Sequence, residues 1–268
     1  MTNGLLKKAM RPPLPYGRGS VIARKHAITF LSRARQRAVF GLFQRPGKSW
    51  PLRCGRFVAA LVPVLAFASG LSLSDWWVEG GERVWIESGR LHMKADAPGK
   101  TTATVFLRRP HKGDFRFSVD AQVVSSSVDA NNINLFFSAS DPSGRPLIDS
   151  AASRASADYG LYHKLNGYII TFLNDAAGEG GRAAEGSTKA RIRIRRNPGF
   201  KLLAETYTYH CRAGVTYSLL VEKTGGEIRF SVDGKELLSA YDPQPLGGGH
   251  LGLRTFRTHL WWSNPRLE

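Results

Sequence analysis

The sequence predicts an all-β protein, a two-sheet antiparallel sandwich built from the chain after residue 68. Three observations predict it. Apolar residues alternate with polar ones in short runs, as in Phe115/Phe117/Val119, Ile133/Leu135/Phe137, Ile192/Ile194 and Ile228/Phe230/Val232. That period of two belongs to strands buried on one face. Turn-forming clusters separate the runs: Ser88-Gly89, Pro142-Ser143-Gly144, Thr224-Gly225-Gly226 and Asp233-Gly234. No apolar stripe at helical spacing lasts beyond about two turns. The spacing predicts about ten to twelve strands. Residues 141–158 and the Gly- and Ala-rich stretch 175–189 read as long surface loops, the second of them mobile.

Of the 268 residues, 42% are hydrophobic and 22% charged, which excludes disorder throughout. The formal net charge of +17 resembles that of a nucleic-acid binder, but it is not evenly spread. Residues 1–68 hold 13 of the 38 Lys and Arg and none of the 21 acids, so the remainder carries a net of only +4. Nucleic acid is therefore not an expected partner of the main domain.

Residues 57–73 are uncharged, follow Arg53 and Arg56, and include Ala66-Phe67-Ala68. A basic flank, a short apolar run and small residues before the cut make a secretory signal peptide, with cleavage expected before Ser69. Pro63 and Gly70 interrupt the run, which argues against stable membrane insertion. The chain thus divides into a basic leader over 1–52, a signal peptide over 53–68 and a β domain over 69–268. The leader reads either as a basic arm or as a mis-called start, with translation beginning nearer Arg53. Export of the domain to the periplasm or the medium favours the second. The two cysteines, Cys54 and Cys211, cannot form a disulfide framework, and Cys211 reads as a small buried apolar side chain.

The C-terminal stretch carries a resemblance. It lies in Gly226 to Gly234 with Ile228, Phe230 and Val232, in Gly249-His250-Leu251-Gly252-Leu253-Arg254, and in Trp262-Ser263-Asn264-Pro265. Joined to His163-Lys164-Leu165-Asn166-Gly167-Tyr168 and Arg195-Arg196-Asn197-Pro198-Gly199-Phe200, these segments resemble the concanavalin A-like lectin/glucanase superfamily, and within it the YesU-like branch. The resemblance covers roughly residues 74–268. It implies a jelly-roll sandwich whose concave sheet meets glycans, and a polysaccharide or oligosaccharide partner. It does not by itself imply catalysis.

The residues leave the chemistry open between a glycan lyase or hydrolase acting on a uronate-containing polysaccharide and a non-catalytic lectin-like module. Retaining glucanases of the superfamily place paired carboxylates on one strand as Glu-x-Asp-x-x-Glu, and no such string occurs. β-Elimination needs a base, an acid and a group that neutralises the carboxylate. The candidate acid and base are His163 and Tyr168, whose strand parities differ unless Asn166-Gly167 forms a bulge. Asn174, Arg193, Arg195, His210 and Arg254 are candidate substrate-binding residues. Arg191, Arg193 and Arg195 alternate with Ile192 and Ile194, so they share the non-core face of one strand. In the pairs Trp76/Trp77 and Trp261/Trp262 one ring faces the core, leaving Trp77 and Trp261 as outward rings for sugar stacking. No His-x-x-x-His or Asp-x-Asp-x-Asp-Gly motif is present. No cofactor is expected beyond a structural Ca²⁺, for which Asp242 is the candidate ligand. A monomer or weak dimer is expected.

Overall fold

The computed structural model describes residues 70–174 and 190–268, together with the backbone of residues 65–66. The basic leader, nearly all of the apolar run up to Ser69, and the 175–189 loop lie outside the described residues.

Two antiparallel sheets face each other. The first contains β3 (Arg83–Glu87), β4 (Arg90–Ala95), β6 (Phe115–Ser125), β11 (Thr216–Thr224), β12 (Glu227–Val232), β13 (Lys235–Tyr241) and β15 (Thr258–Leu267), in the order β13-β12-β11-β6-β15-β4-β3. A two-residue strand, β1 (Leu65–Ala66), pairs with Arg266 and Leu267 of β15. The expected cleavage before Ser69 would leave β1 on the leader side. The second sheet contains β2 (Trp76–Gly80), β5 (Thr102–Leu107), β7 (Ile133–Ser140), β8 (Asn166–Asn174), β9 (Ala190–Asn197), β10 (Lys201–Thr206) and β14 (His250–Phe256), in the order β10-β9-β8-β7-β14-β5-β2. The count exceeds ten to twelve because short edge strands such as β3 and β13 are joined to their neighbours by two-residue turns. Ser88-Gly89 and Asp233-Gly234 make those turns with positive φ at both positions (49° and 71°, 52° and 77°). That is the conformation that matches strand twist in a tight hairpin.

The core lies between the sheets and follows the period-two pattern. Phe117, Val119, Leu219, Val221, Ile228 and Phe230 from the first sheet meet Val105, Leu135, Phe137, Ile170, Phe172, Ile192 and Ile194 from the second. Cys211 is fully buried here, and burial pushes its thiol up, as expected of an inert side chain.

Residues 141–158 are not a plain loop. They contain a 3-10 helix, Leu147–Arg154, and lead into a one-turn helix, α1 (Tyr159–Tyr162). Turns this short carry too few residues for a helical period to show in sequence. Leu147, Ala157, Tyr162 and Leu165 cover Trp77, Phe106, Phe136 and Ile169 in a second, smaller core on the outer face of the second sheet. This cap explains why β5 and most of β8 are buried at every position.

Phe230 is fully buried on β12, whereas its neighbour Arg229 points outward and pairs with Glu227 at 2.7 Å. Phe230→Ala should cost about 3–5 kcal/mol and Arg229→Ala no more than about 0.5 kcal/mol in urea melts. Equal losses would mean that the register of β12 is wrong.

Candidate functional site

One row of side chains crosses all seven strands of the second sheet. Its members are Glu79, Thr104, Arg254, Asn134, Thr171, Arg193 and Glu205, each directly opposite the next. Their neighbours along the strands, including Val105, Leu253, Leu135, Ile170 and Ile192, point into the core. Alternation therefore turns the polar row away from it. The adjacent row on the same face runs Trp77, Phe106, Gly252, Phe136, Ile169 and Arg195. It is apolar where the cap covers it. Gly252 is required there: a Cβ would lie 2.7 Å from the Phe106 ring and 3.2 Å from Phe136 Cβ.

Glu79 ties the cap to the sheet. Its carboxylate is 2% exposed and accepts from Arg154 Nη2 at 2.8 Å, Arg154 Nε at 3.1 Å, Tyr162 Oη at 2.7 Å and Trp77 Nε1 at 3.1 Å. Arg154 also donates to Ser150 Oγ and to the Leu147 carbonyl. Burial, then the Glu79 charge, pushes the Tyr162 hydroxyl well above the usual phenol range. It therefore stays protonated and donates.

The far half of the face is cationic. Arg195 stacks on Phe200, its guanidinium carbon 4.1 Å from the ring centre, and donates to the Phe200 carbonyl at 2.8 Å. His163, just after α1, stacks on the same ring at 3.7 Å and meets Tyr159 edge-on at 4.8 Å. Arg254 lies 4.5 Å from the centre of the Tyr159 ring, and its Nη2 donates to the Ala157 carbonyl at 3.3 Å. With the Asn134 amide turned so that its oxygen faces Arg254, Nη1 donates to it at 3.3 Å. Burial, followed by the charges of Arg254 and Arg195, holds His163 below its ordinary value, so the ring is neutral at pH 7. Burial, then the charge of Arg193, lowers Arg191 and Arg195 from the usual guanidinium range, though both stay charged. Thr171 Oγ1, Arg193 Nε, Arg195 Nε and His163 Nε2 are shielded from solvent without a hydrogen-bond partner among the described residues.

His163, Arg193, Arg195 and Arg254 thus share one face, and the three alternating arginines lie where strand parity put them. The remaining candidates do not join them. Tyr168 points into the core, donates to Asp242 Oδ2 at 2.7 Å and accepts from the Leu246 amide at 2.9 Å. Burial pushes its hydroxyl up to about 12. Tyr168 and His163 lie on opposite faces of the second sheet, because His163 precedes β8 in the cap rather than sharing the strand. Asn174 has the same parity as core-facing Phe172 and its amide reaches Asp129. His210 sits in the β10–β11 connection, where its carbonyl accepts from Tyr217. Trp77 faces outward, as parity requires, but lies under the cap and is 6% exposed. Trp261 points away from the core on the other sheet, beneath the Arg90 guanidinium at 4.2 Å. Asp242 is occupied by Tyr168, the Gln244 amide and Arg196 at 2.7 Å, a cationic setting that suits no Ca²⁺ ligand. Among the described residues no group of three or more His, Cys, Asp or Glu side chains is arranged to hold a metal.

Glu79, Thr104, Asn134, Thr171 and Glu205 were not legible as site residues. The available signal was a polar residue at the non-core parity of strands otherwise apolar at both parities, as with Asn134 between Ile133 and Leu135.

Residues 98–264 match the family described as Domain of unknown function (DUF6250). The chain belongs to the DUF6250 family. No curated protein matches the sequence. Among solved structures, this DUF6250 protein is similar to a protein of unknown function with a galectin-like fold from Bacillus subtilis. There the TM-score is 0.60 and the identity 18%, over 73% of this chain and 89% of that one. Carbohydrate binding module CBM66 from Bacillus subtilis gives a TM-score of 0.50 at 15% identity, over 72% and 95% of the two chains. The VIP36 exoplasmic/lumenal domain, in a form bound to Ca²⁺ and Man3GlcNAc, gives 0.52 at 13% identity, over 74% and 84%. These likenesses show the fold, the two-sheet sandwich of concanavalin A-like proteins, which carbohydrate-binding modules and lectins share.

In this DUF6250 protein, Glu79→Gln should destabilise by about 3–5 kcal/mol, because it leaves the Arg154 guanidinium buried without its counter-charge. The double variant Glu79→Gln/Arg154→Met should recover part of that loss in a thermal melt. A loss below about 1 kcal/mol for the single variant would show that the ion pair does not hold the cap.

Proposed function

We propose that the protein is exported and that the arginine half of the second sheet's outer face binds an acidic, uronate-containing polysaccharide. The observation that carries this reading is the placement of Arg193 and Arg195, two residues apart on the outward face of β9 and only partly buried, beside His163 on the Phe200 ring. Guanidinium groups recognise carboxylates through paired hydrogen bonds. The fold's carbohydrate-binding relatives support the saccharide part of the reading. Paired-carboxylate hydrolysis is disfavoured on this row. Its two carboxylates, Glu79 and Glu205, sit on strands at opposite edges, roughly 25–30 Å apart, where hydrolysis needs about 5–10 Å.

Binding is read most directly with Arg193→Ala, which removes no contact to the cap. It should weaken binding to polygalacturonate or alginate about tenfold or more and leave binding to neutral glucans unchanged, as followed by affinity electrophoresis. Equal loss on neutral and acidic polymers, or no loss, would refute carboxylate recognition here.

One observation favours a second reading, β-elimination at the uronate: the neutral His163 imidazole between Arg195 and Arg254. As the base it would take the C5 proton in its neutral form, and the imidazolium so formed would return a proton to the C4 oxygen as the C4–O bond breaks. Its lowered pKa keeps that form present below pH 6.5, so activity should be lost only as pH falls through the lowered value. Unsaturated-end absorbance that vanishes in His163→Gln while polymer binding persists would establish elimination. Absence of such absorbance across a uronate panel leaves the binding module. Export completes the proposal, and the protein recovered from its native host should begin near Ser69.

A further inference from the structure

Outside this face, the exposed side of the first sheet carries a second cluster of chemistry-bearing side chains. His92 on β4 and His259 on β15 are diagonal neighbours, since His259 pairs with Lys94 and His92 with Trp261. Their rings bring His92 Nδ1 within 3.3 Å of His259 Nε2. Trp85, from β3, stacks on His92 at 4.8 Å and an interplanar angle of 15°, and lies 5.4 Å from His259. The Arg83 guanidinium lies 4.6 Å from the centre of the Trp85 ring.

We infer that His92 and His259 form a two-imidazole site for a divalent transition-metal ion such as Cu²⁺ or Zn²⁺, with water completing the coordination. Two nitrogens bound to a tetrahedral Zn²⁺ at about 2.0–2.1 Å stand roughly 3.3–3.4 Å apart, and the pair already has that separation; a tetragonal Cu²⁺ would draw the two rings about 0.5 Å closer. Imidazole is a preferred ligand for these ions. Coordination needs an unprotonated nitrogen on each ring at the shared position. Glu87 Oε2, 4.0 Å from His92 Nε2, favours the proton on Nε2 and leaves Nδ1 as the ligand atom. The surrounding charges are mixed: Glu82 pairs with Lys94 at 2.9 Å beside His259, and Arg90 and Glu87 flank His92. The stacked Trp85 ring fixes the orientation of His92 and places a fluorophore beside the ion.

The experiment is a titration of the full, untagged chain with Cu²⁺ and with Zn²⁺ by calorimetry, alongside His92→Gln and His259→Gln. The expected result is one equivalent whose affinity falls about tenfold or more in each variant, with circular dichroism unchanged. Cu²⁺ should quench part of the tryptophan emission in the parent chain, and Trp85→Phe should remove that part. Its electron paramagnetic resonance spectrum should show two nitrogen ligands. Binding retained in both variants, or no binding by the parent chain, overturns the inference. If a variant loses its fold, the two-nitrogen spectrum and the Trp85-dependent quenching of the parent chain decide alone.

Discussion

The architecture of the outer face depends on one buried carboxylate. Glu79 is nearly inaccessible and fully engaged by Arg154, Tyr162 and Trp77. A carboxylate taken out of water at this depth is tolerable only because cation and donors surround it. Two of those partners belong to the cap, so satisfying the charge fixes where the cap lies. Tyr159 and His163 flank Tyr162 in sequence and are set over Arg254 and Phe200 as a consequence. An electrostatic need at one edge of the sheet thus positions aromatic rings several strands away.

The second sheet consequently has three environments on two faces. Its inner face is mostly apolar and closes the main core. Its outer face is apolar beneath the cap and polar beyond it, divided along the boundary between two adjacent rows. Arg195 lies on the apolar row but emerges from the cap's edge onto Phe200, where its flat guanidinium keeps both stacking and hydrogen bonding. Among the described residues, the charges of Arg191 and Arg195 come from guanidiniums that burial and the Arg193 charge hold below their usual range without discharging them.

Strand alternation made the sandwich legible in the sequence, and it placed Arg191, Arg193 and Arg195 on one outward stripe. Hairpins such as Asp233-Gly234 were legible for the same local reason. What could not be read was whatever depends on which strands are neighbours. Glu79 and Thr104 meet Arg254 only through the order β2-β5-β14, which joins segments far apart in the chain. The pairing of His163 with Tyr168 failed on a further point: the residues between Leu147 and Leu165 fold back over the sheet in turns too short to announce themselves. Tyr168 then keeps the core parity of Ile170 and Phe172, and its hydroxyl is used up within the protein. Trp77 was placed on the correct face, but the cap that hides it is the same element that sequence reading took for a loop.

The seven-strand row has a consequence for the direction of any polymer on this face. Both of its ends are carboxylates, Glu79 and Glu205, while its interior holds Arg254 and Arg193, three strand spacings or roughly 14 Å apart. A polyanion laid across the strands would have an attractive window only that wide before like charge faced it at the Glu205 edge and the cap blocked it at the other. Laid along β9 instead, the same polymer would meet a guanidinium every second residue, roughly 6.7 Å apart. The sheet therefore has an easy axis and a hard axis for a linear anion, and the easy one runs parallel to its strands.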